Sequence, residues 1–148
     1  MAGGVSLSCM YITWETYQCG NVLSLIVSCG WDFDMNTYSV YLYDTATGEQ
    51  MTTAQLLETL QVEPETFLAA VRQAAAERFD GKYAGIGGDT DELVAERRAW
   101  TLSDENINLD VMTYADAAGN LYVYLPIGSI AGAASYEEPL TLDLGAAG

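Results

Sequence analysis

The run Asp32-Phe33-Asp34-Met35-Asn36 puts oxygen donors at the first, third and fifth places of a potential calcium loop. A loop of that kind also needs glycine at its sixth place and a bidentate glutamate at its twelfth. Thr37 and Tyr43 stand there, so the run reads as an acidic loop between two strands. Gly85-Ile86-Gly87-Gly88 has the look of a phosphate cradle, but a dinucleotide fingerprint follows a strand and carries a third glycine three residues after the second. That position is Thr90. Carboxylates cluster at Asp89/Asp91/Glu92, Asp104/Glu105 and Glu137/Glu138, and two acids flanking a glycosidic bond can hydrolyse it. With 21 acidic residues in 148, such neighbours arise by chance and read as solvated surface. The chain contains no histidine, which excludes every histidine-based triad and most zinc centres. Its serines lack the G-x-S-x-G elbow of a hydrolase nucleophile.

Cys9, Cys19 and Cys29 form no C-x-x-C pair, and Cys19 has no basic neighbour in sequence to lower its pKa. Two of the three can join as one disulfide in an oxidising compartment. Equally, all three can be small buried thiols, the reading favoured by their odd number.

The elements that must position these groups follow from periodicity. Residues 5–18 are β-branched and aromatic with partial alternation, and read as a strand. Gly20-Asn21 signals a turn, and 22–29 read as a central strand. In 37–43, Tyr38, Val40 and Leu42 alternate against Thr37, Ser39 and Tyr41. Thr52 with Gln55 forms a capping box that opens a short helix through Leu60. Pro64 suits the first turn of a longer helix that stops near Gly81, with Phe67, Leu68, Val71, Ala74 and Ala75 on one face. Residues 89–100 read as a third helix, acidic at its start and basic at its end, as the helix dipole prefers. Strands return at 107–112 and 121–125, the latter ended by Pro126. A Gly/Ala/Ser-rich loop spans 128–135, and 139–144 supplies a last strand. Strands, then helices, then strands define an α+β class: an antiparallel sheet with two or three helices inserted between the N-terminal and C-terminal strands and packed on one face.

Composition sets further bounds. The chain fits one domain, 1–148, with 145–148 reading as a tail, and is expected to be a piece of a larger protein. An apolar fraction of 50% is too high for disorder. No stretch approaches the ~20 apolar residues of a membrane span, so no direct membrane insertion is expected. Five basic residues against 21 acidic ones give a net charge of −16. Nucleic acid binding needs cations to replace phosphate counterions, so that function is excluded. A basic partner would be steered in by such a field. Ten tyrosines and three tryptophans are strand formers first and interface anchors second.

Several segments together resemble a known family. Gly20-Asn21-Val22-Leu23-Ser24-Leu25-Ile26-Val27 is similar to its turn, Leu-Ser-Leu and β run. Residues 41–52 resemble its strand, Thr-Gly turn and helix entry. Trp100-Thr101-Leu102-Ser103 with Asn106-Ile107-Asn108-Leu109 resembles its aromatic-led strand. Residues 127–135 followed by Leu140-Thr141-Leu142 resemble its closing loop and last strand. The family is the uncharacterised extracytoplasmic domain of RsiV-type anti-sigma factors, found also beside some peptidoglycan deacetylases. The resemblance covers roughly 20–144. It implies an α+β fold, an extracytoplasmic location in the cell envelope, no catalysis and no cofactor. It also implies a sensor or binding role, which in the anti-sigma members answers to a basic protein. The chain departs from the family at 30–35, which lacks a histidine, and at Leu125-Pro126-Ile127-Gly128. The expected contacts are the loop residues Trp31, Asp32 and Asp34, with Tyr136, Glu137 and Glu138, since ligand contacts favour loops. The alternative expectation is an accessory module of a cell-wall polysaccharide-modifying enzyme.

Overall fold

In the computed structural model, residues 11–30, 36–86, 90–131, 134–136 and 139–145 are described, Ser135 and Tyr136 by their backbone only. Three long strands come first: β1 (Tyr11–Cys19), β2 (Val22–Gly30) and β3 (Asn36–Asp44), then the short β4 (Gln50–Met51). They pair antiparallel in the order β1-β2-β3-β4. Gly20, at φ 57°, supplies the positive dihedral that a two-residue hairpin needs at its first position, and Cys19 therefore pairs with Val22. Register then runs unbroken to Tyr11↔Gly30, and from Val22↔Asp44 to Gly30↔Asn36 on the other side.

Helices α1 (Thr53–Thr59), α2 (Pro64–Lys82) and α3 (Asp91–Thr101) follow. The expected capping box is present: Gln55 N–H donates to Thr52 Oγ1 at 3.2 Å and Thr52 N–H donates to Gln55 Oε1 at 2.8 Å. At the far end of α1, Gln61 takes φ 57°, and Val62 N–H donates to Leu57 O while Gln61 N–H donates to Glu58 O. This is a Schellman closure built on a non-glycine residue. Pro64 opens α2 as expected, and Phe67, Ala70, Val71, Ala75 and Phe79 form its buried stripe.

The C-terminal strands β5 (Met112–Ala115), β6 (Leu121–Tyr124) and β9 (Leu140–Thr141) make a second antiparallel sheet in the order β5-β6-β9. Between them β7 (Pro126–Ile127) and β8 (Ser135–Tyr136) pair as a hairpin. The α+β class holds, with the strands divided among these sheets and α2 lying against β9 and β7. The core runs through both sheets and α2, with Ile26, Leu42, Phe67, Phe79, Leu121, Val123 and Ile127 all buried. No described helix is long and apolar enough to cross a membrane.

Two local expectations are corrected. Residues 107–111 do not form a strand; the strand begins at Met112. Asn106 Nδ2–H donates to Trp100 O at 2.7 Å, Asn108 Nδ2–H donates to Asp104 O and Glu105 O, and Asp110 N–H donates to Asn108 Oδ1. Short amide side chains thus tie the preceding carbonyls and the Asp110 amide into local turns in place of a ladder. Trp100 stands in α3, as periodicity expected, and Thr101 finishes that helix; the resemblance, which set both at the head of a strand, is corrected. The return strand ends at Tyr124, ahead of Pro126 as expected, and Pro126 in turn opens β7, where a first-residue proline loses no needed donor.

β5 lies at the rim of its sheet, over the inner face of β2. Ser24, fully buried, closes that rim: its hydroxyl donates to Ala115 O at 3.3 Å and accepts from Ala115 N–H at 3.4 Å. Ser24→Ala leaves both Ala115 groups without that partner, and chemical denaturation should show a loss of about 1–3 kcal/mol. An unchanged denaturation midpoint would refute this role for Ser24.

Candidate functional site: an aromatic face set in negative charge

Strand alternation assigns each side chain of the four-stranded sheet to one face. The inner face carries Val22, Ser24 and Ile26 from β2, Tyr17 from β1, and Tyr38, Val40 and Leu42 from β3, and it meets the second sheet. A stack of tyrosines joins the two. Tyr17 lies 5.5 Å from Tyr114, which lies 4.9 Å from Tyr122, while Tyr38 stacks on Tyr124 at 4.3 Å. The majority of these rings therefore serve as core, each pair adding ~0.5–1.5 kcal/mol beyond its buried area.

The environment of this stack is apolar and anionic. Burial is the main cause that pushes the Tyr124 hydroxyl up to about 12, with Tyr38 and Glu15 adding repulsion. Tyr114 is raised for the same reason, chiefly by burial. At the stack's margin Tyr122 donates to Asp116 Oδ2 at 2.9 Å, and this hydrogen bond is the chief cause of its raised pKa. Asp116 is held low mainly by Asn120, whose side-chain amide donates to it at 3.1 Å. Because the folded tyrosines hold their protons above the ordinary value of 10, the unfolded chain loses protons first as pH rises. Stability from the stack is thus complete below pH 10 and falls between 10 and about 12. A tyrosinate absorbance titration should show one group of tyrosines ionising near the ordinary value. It should show a second group ionising only together with loss of near-ultraviolet circular dichroism. A single simple titration would contradict the buried stack.

The outer face is different. It carries Ile12, Trp14, Thr16 and Gln18 from β1, Leu23, Leu25 and Val27 from β2, and Thr37, Ser39, Tyr41 and Tyr43 from β3. Trp14 is 71% exposed, Ile12 59% and Tyr41 38%. Leu23, Leu25 and Val27 are half-buried between these neighbours. Apolar and aromatic surface of this kind is unusual on the solvent side of a sheet, and this is the candidate surface of the molecule. Tyr11, also exposed, belongs to the inner side; its ring lies over Gly30, where an added Cβ would fall inside the ring.

The basic residues are unevenly placed, although acidic residues run through the whole chain. All five basic residues, Arg72, Arg78, Lys82, Arg97 and Arg98, lie on α2 and α3, so they are segregated rather than scattered. There Arg98 pairs with Asp80 at 2.8 Å and Arg72 with Asp104 at 2.6 Å. The Arg98 guanidinium holds the Asp80 carboxyl below its ordinary range. The first 71 residues contain Glu15, Asp32, Asp34, Asp44, Glu49, Glu58, Glu63 and Glu65 and not one base. The aromatic face thus sits in the uncompensated half.

Of the residues expected to make contacts, Trp31, Asp32, Asp34, Glu137 and Glu138 lie outside the described residues. Tyr136 lies on β8, which runs alongside β3. Cys29 is disulfide-bonded, the first of the two alternatives for the cysteines and not the favoured one; Cys19 is a half-buried free thiol, and Cys9 lies outside the described residues. No group of three or more potential metal ligands occurs among the described residues. Open grooves of about 470 and 310 Å³ lie at the α1–α2 junction, rimmed by Glu58 and Glu63, and beside β5, rimmed by Glu105 and Asp110. No protein-family model, curated protein or solved structure matches the chain.

Proposed function

We propose that this chain is a non-catalytic, extracytoplasmic sensor or binding domain of a bacterial envelope protein, and that its partner is a basic protein. The observation that carries the reading is the exposed Ile12–Trp14–Tyr41 surface in a half of the molecule without a single cation. Aromatic residues in an otherwise polar surface anchor interfaces, and a one-signed field chooses the partner's charge. A disulfide at Cys29 supports an oxidising compartment outside the cytoplasm. The resemblance to the extracytoplasmic domain of RsiV-type anti-sigma factors supports the same location and role. The described carboxylates with shifted affinity, Asp80 and Asp116, are both held ionised, the opposite of a general acid.

The test is retention of small basic proteins by the immobilised chain, with acidic proteins of similar size as controls, at low and high salt. Basic proteins should be retained and acidic ones not. Retention should weaken at high salt yet persist, because the apolar contacts are not screened. Absence of retention at both salt concentrations would remove the reading. The second reading, an accessory module of a polysaccharide-modifying enzyme, rests on Trp14 and Tyr41 sharing one sheet face, since exposed rings can stack on sugars. Binding to cell-wall glycan that is lost in Trp14→Ser would favour it.

A further inference from the structure

We infer that β1 is a docking edge, along which an extended segment of a cationic partner adds to the four-stranded sheet as a further strand beside Ile12–Gln18. The inference rests on the binding role proposed above and gives that role a place and a mode. Strand order puts β1 at the rim of its sheet, and among the described residues no strand pairs with its far side.

A long open edge is a template for another chain, and proteins guard such edges with proline, lysine, shortness or cover. The other rims obey that rule here. β4 is two residues long, and at the rim of the four-residue β5 the Ser24 hydroxyl takes both main-chain groups of Ala115. Among the described residues β1 shows none of these protections. It runs for nine residues without proline or lysine, and every residue from Ile12 to Thr16 is exposed.

A strand laid along β1 satisfies its outward main-chain groups and places alternate side chains on opposite faces. One set falls beside Ile12 and Trp14 and should be apolar. The other falls on the side of Thr13 and Glu15, where lysine or arginine meets the carboxylate. Charge decides the occupant. With no base in the first 71 residues, a basic segment is attracted, whereas a second copy of a chain carrying −16 is repelled.

The experiment uses the full chain and three peptides as long as β1. The first alternates lysine with valine. The second is the same peptide methylated on alternate backbone nitrogens, which keeps charge and side chains but removes donors. The third alternates glutamate with valine. Calorimetry reads affinity, and amide hydrogen exchange reads Ile12–Gln18. The lysine–valine peptide should bind and slow exchange at alternate β1 amides. The other two peptides, and the Trp14→Ser chain with the first peptide, should each bind about tenfold or more weakly, with the thermal midpoint of the variant unchanged. Equal binding of the methylated peptide, or binding without slowed exchange, would overturn strand addition and leave the cationic-partner reading intact. So would retention of basic proteins by a chain that ignores the lysine peptide. Protection of β1 that grows with chain concentration alone would make a second copy the occupant and overturn the inference. Failure with both basic proteins and lysine peptides would remove the functional reading as well.

Discussion

Phe67→Ala should lower the unfolding free energy by about 3–5 kcal/mol, the cost of a large cavity in a packed core. Phe67 is fully buried on α2, in the stripe it shares with Ala70, Val71, Ala75 and Phe79. Two of those neighbours are alanines, too small to move in and fill the space, so relaxation recovers little. α2 is also the element set against β9 and β7, so the same cavity loosens the attachment of the second sheet. For a domain whose whole stability is ~5–15 kcal/mol, the variant stands near the edge of folding. Urea denaturation should show the midpoint falling with the slope unchanged. A loss below about 1 kcal/mol would mean that α2 is not the core element described.

Gly128→Ala should cost about 3 kcal/mol, through overpacking and broken hydrogen bonds together. A methyl group there would stand 2.8 Å from Thr101 Oγ1 and 2.9 Å from Arg97 O. The first could swing away, but the second is helix backbone at the end of α3 and cannot. Retreat of the 128 segment is also blocked. Gly128 N–H donates to Thr101 Oγ1 at 2.9 Å, and Tyr83 donates its hydroxyl to Gly128 O at 3.1 Å. The Tyr83 oxygen in turn accepts from Ile130 N–H at 3.3 Å. This buried knot fastens the end of α2, the end of α3 and the stretch after β7 at one point. Thr101→Ala alone should destabilise, since the Gly128 N–H loses its acceptor. In Gly128→Ala/Thr101→Ala the losses should not add, because the second change removes one of the clashes. Strict additivity in the double-mutant cycle would argue against the contact.

Local signals in the chain were enough for elements whose formation is local. The Gly20-Asn21 turn, the capping box at Thr52 and Gln55, and Pro64 at a helix start each act within a few residues, and all are present. Signals failed where a side chain competed with the backbone. Ile107, Leu109 and Val111 alternate as a strand would, yet Asn106 and Asn108 bind the carbonyls of Trp100, Asp104 and Glu105 just before that stretch and the Asp110 amide within it. The division of the strands between two sheets, and the pairing of Tyr17 with Tyr114 or Tyr38 with Tyr124, depend on docking between distant segments. No local period encodes that.

The candidate surface was half legible. Residues 5–18 read as an aromatic strand, and Ile12 and Trp14 do stand on one side of it. Which side faces water is set by where Tyr114 and Ala115 settle, since a strand with apolar residues on both faces has no intrinsic inside. Attention therefore fell on the loops around Trp31 and Tyr136, where acidic and aromatic residues lie together in sequence, while Tyr41 and Trp14 come together only across β2.

The confinement of every cation to α2 and α3 has a consequence apart from attraction. Those two helices hold six acidic and five basic residues and are close to neutral, so the net charge falls on the rest of the chain and its centre is displaced from the helices. Near a strongly cationic body it experiences a torque, which turns the strands forward and the helices back before any contact forms. Productive encounters then depend on alignment at a distance, and moving the charges of Arg78 and Lys82 from α2 to β3 would slow association even though the net charge stayed at −16.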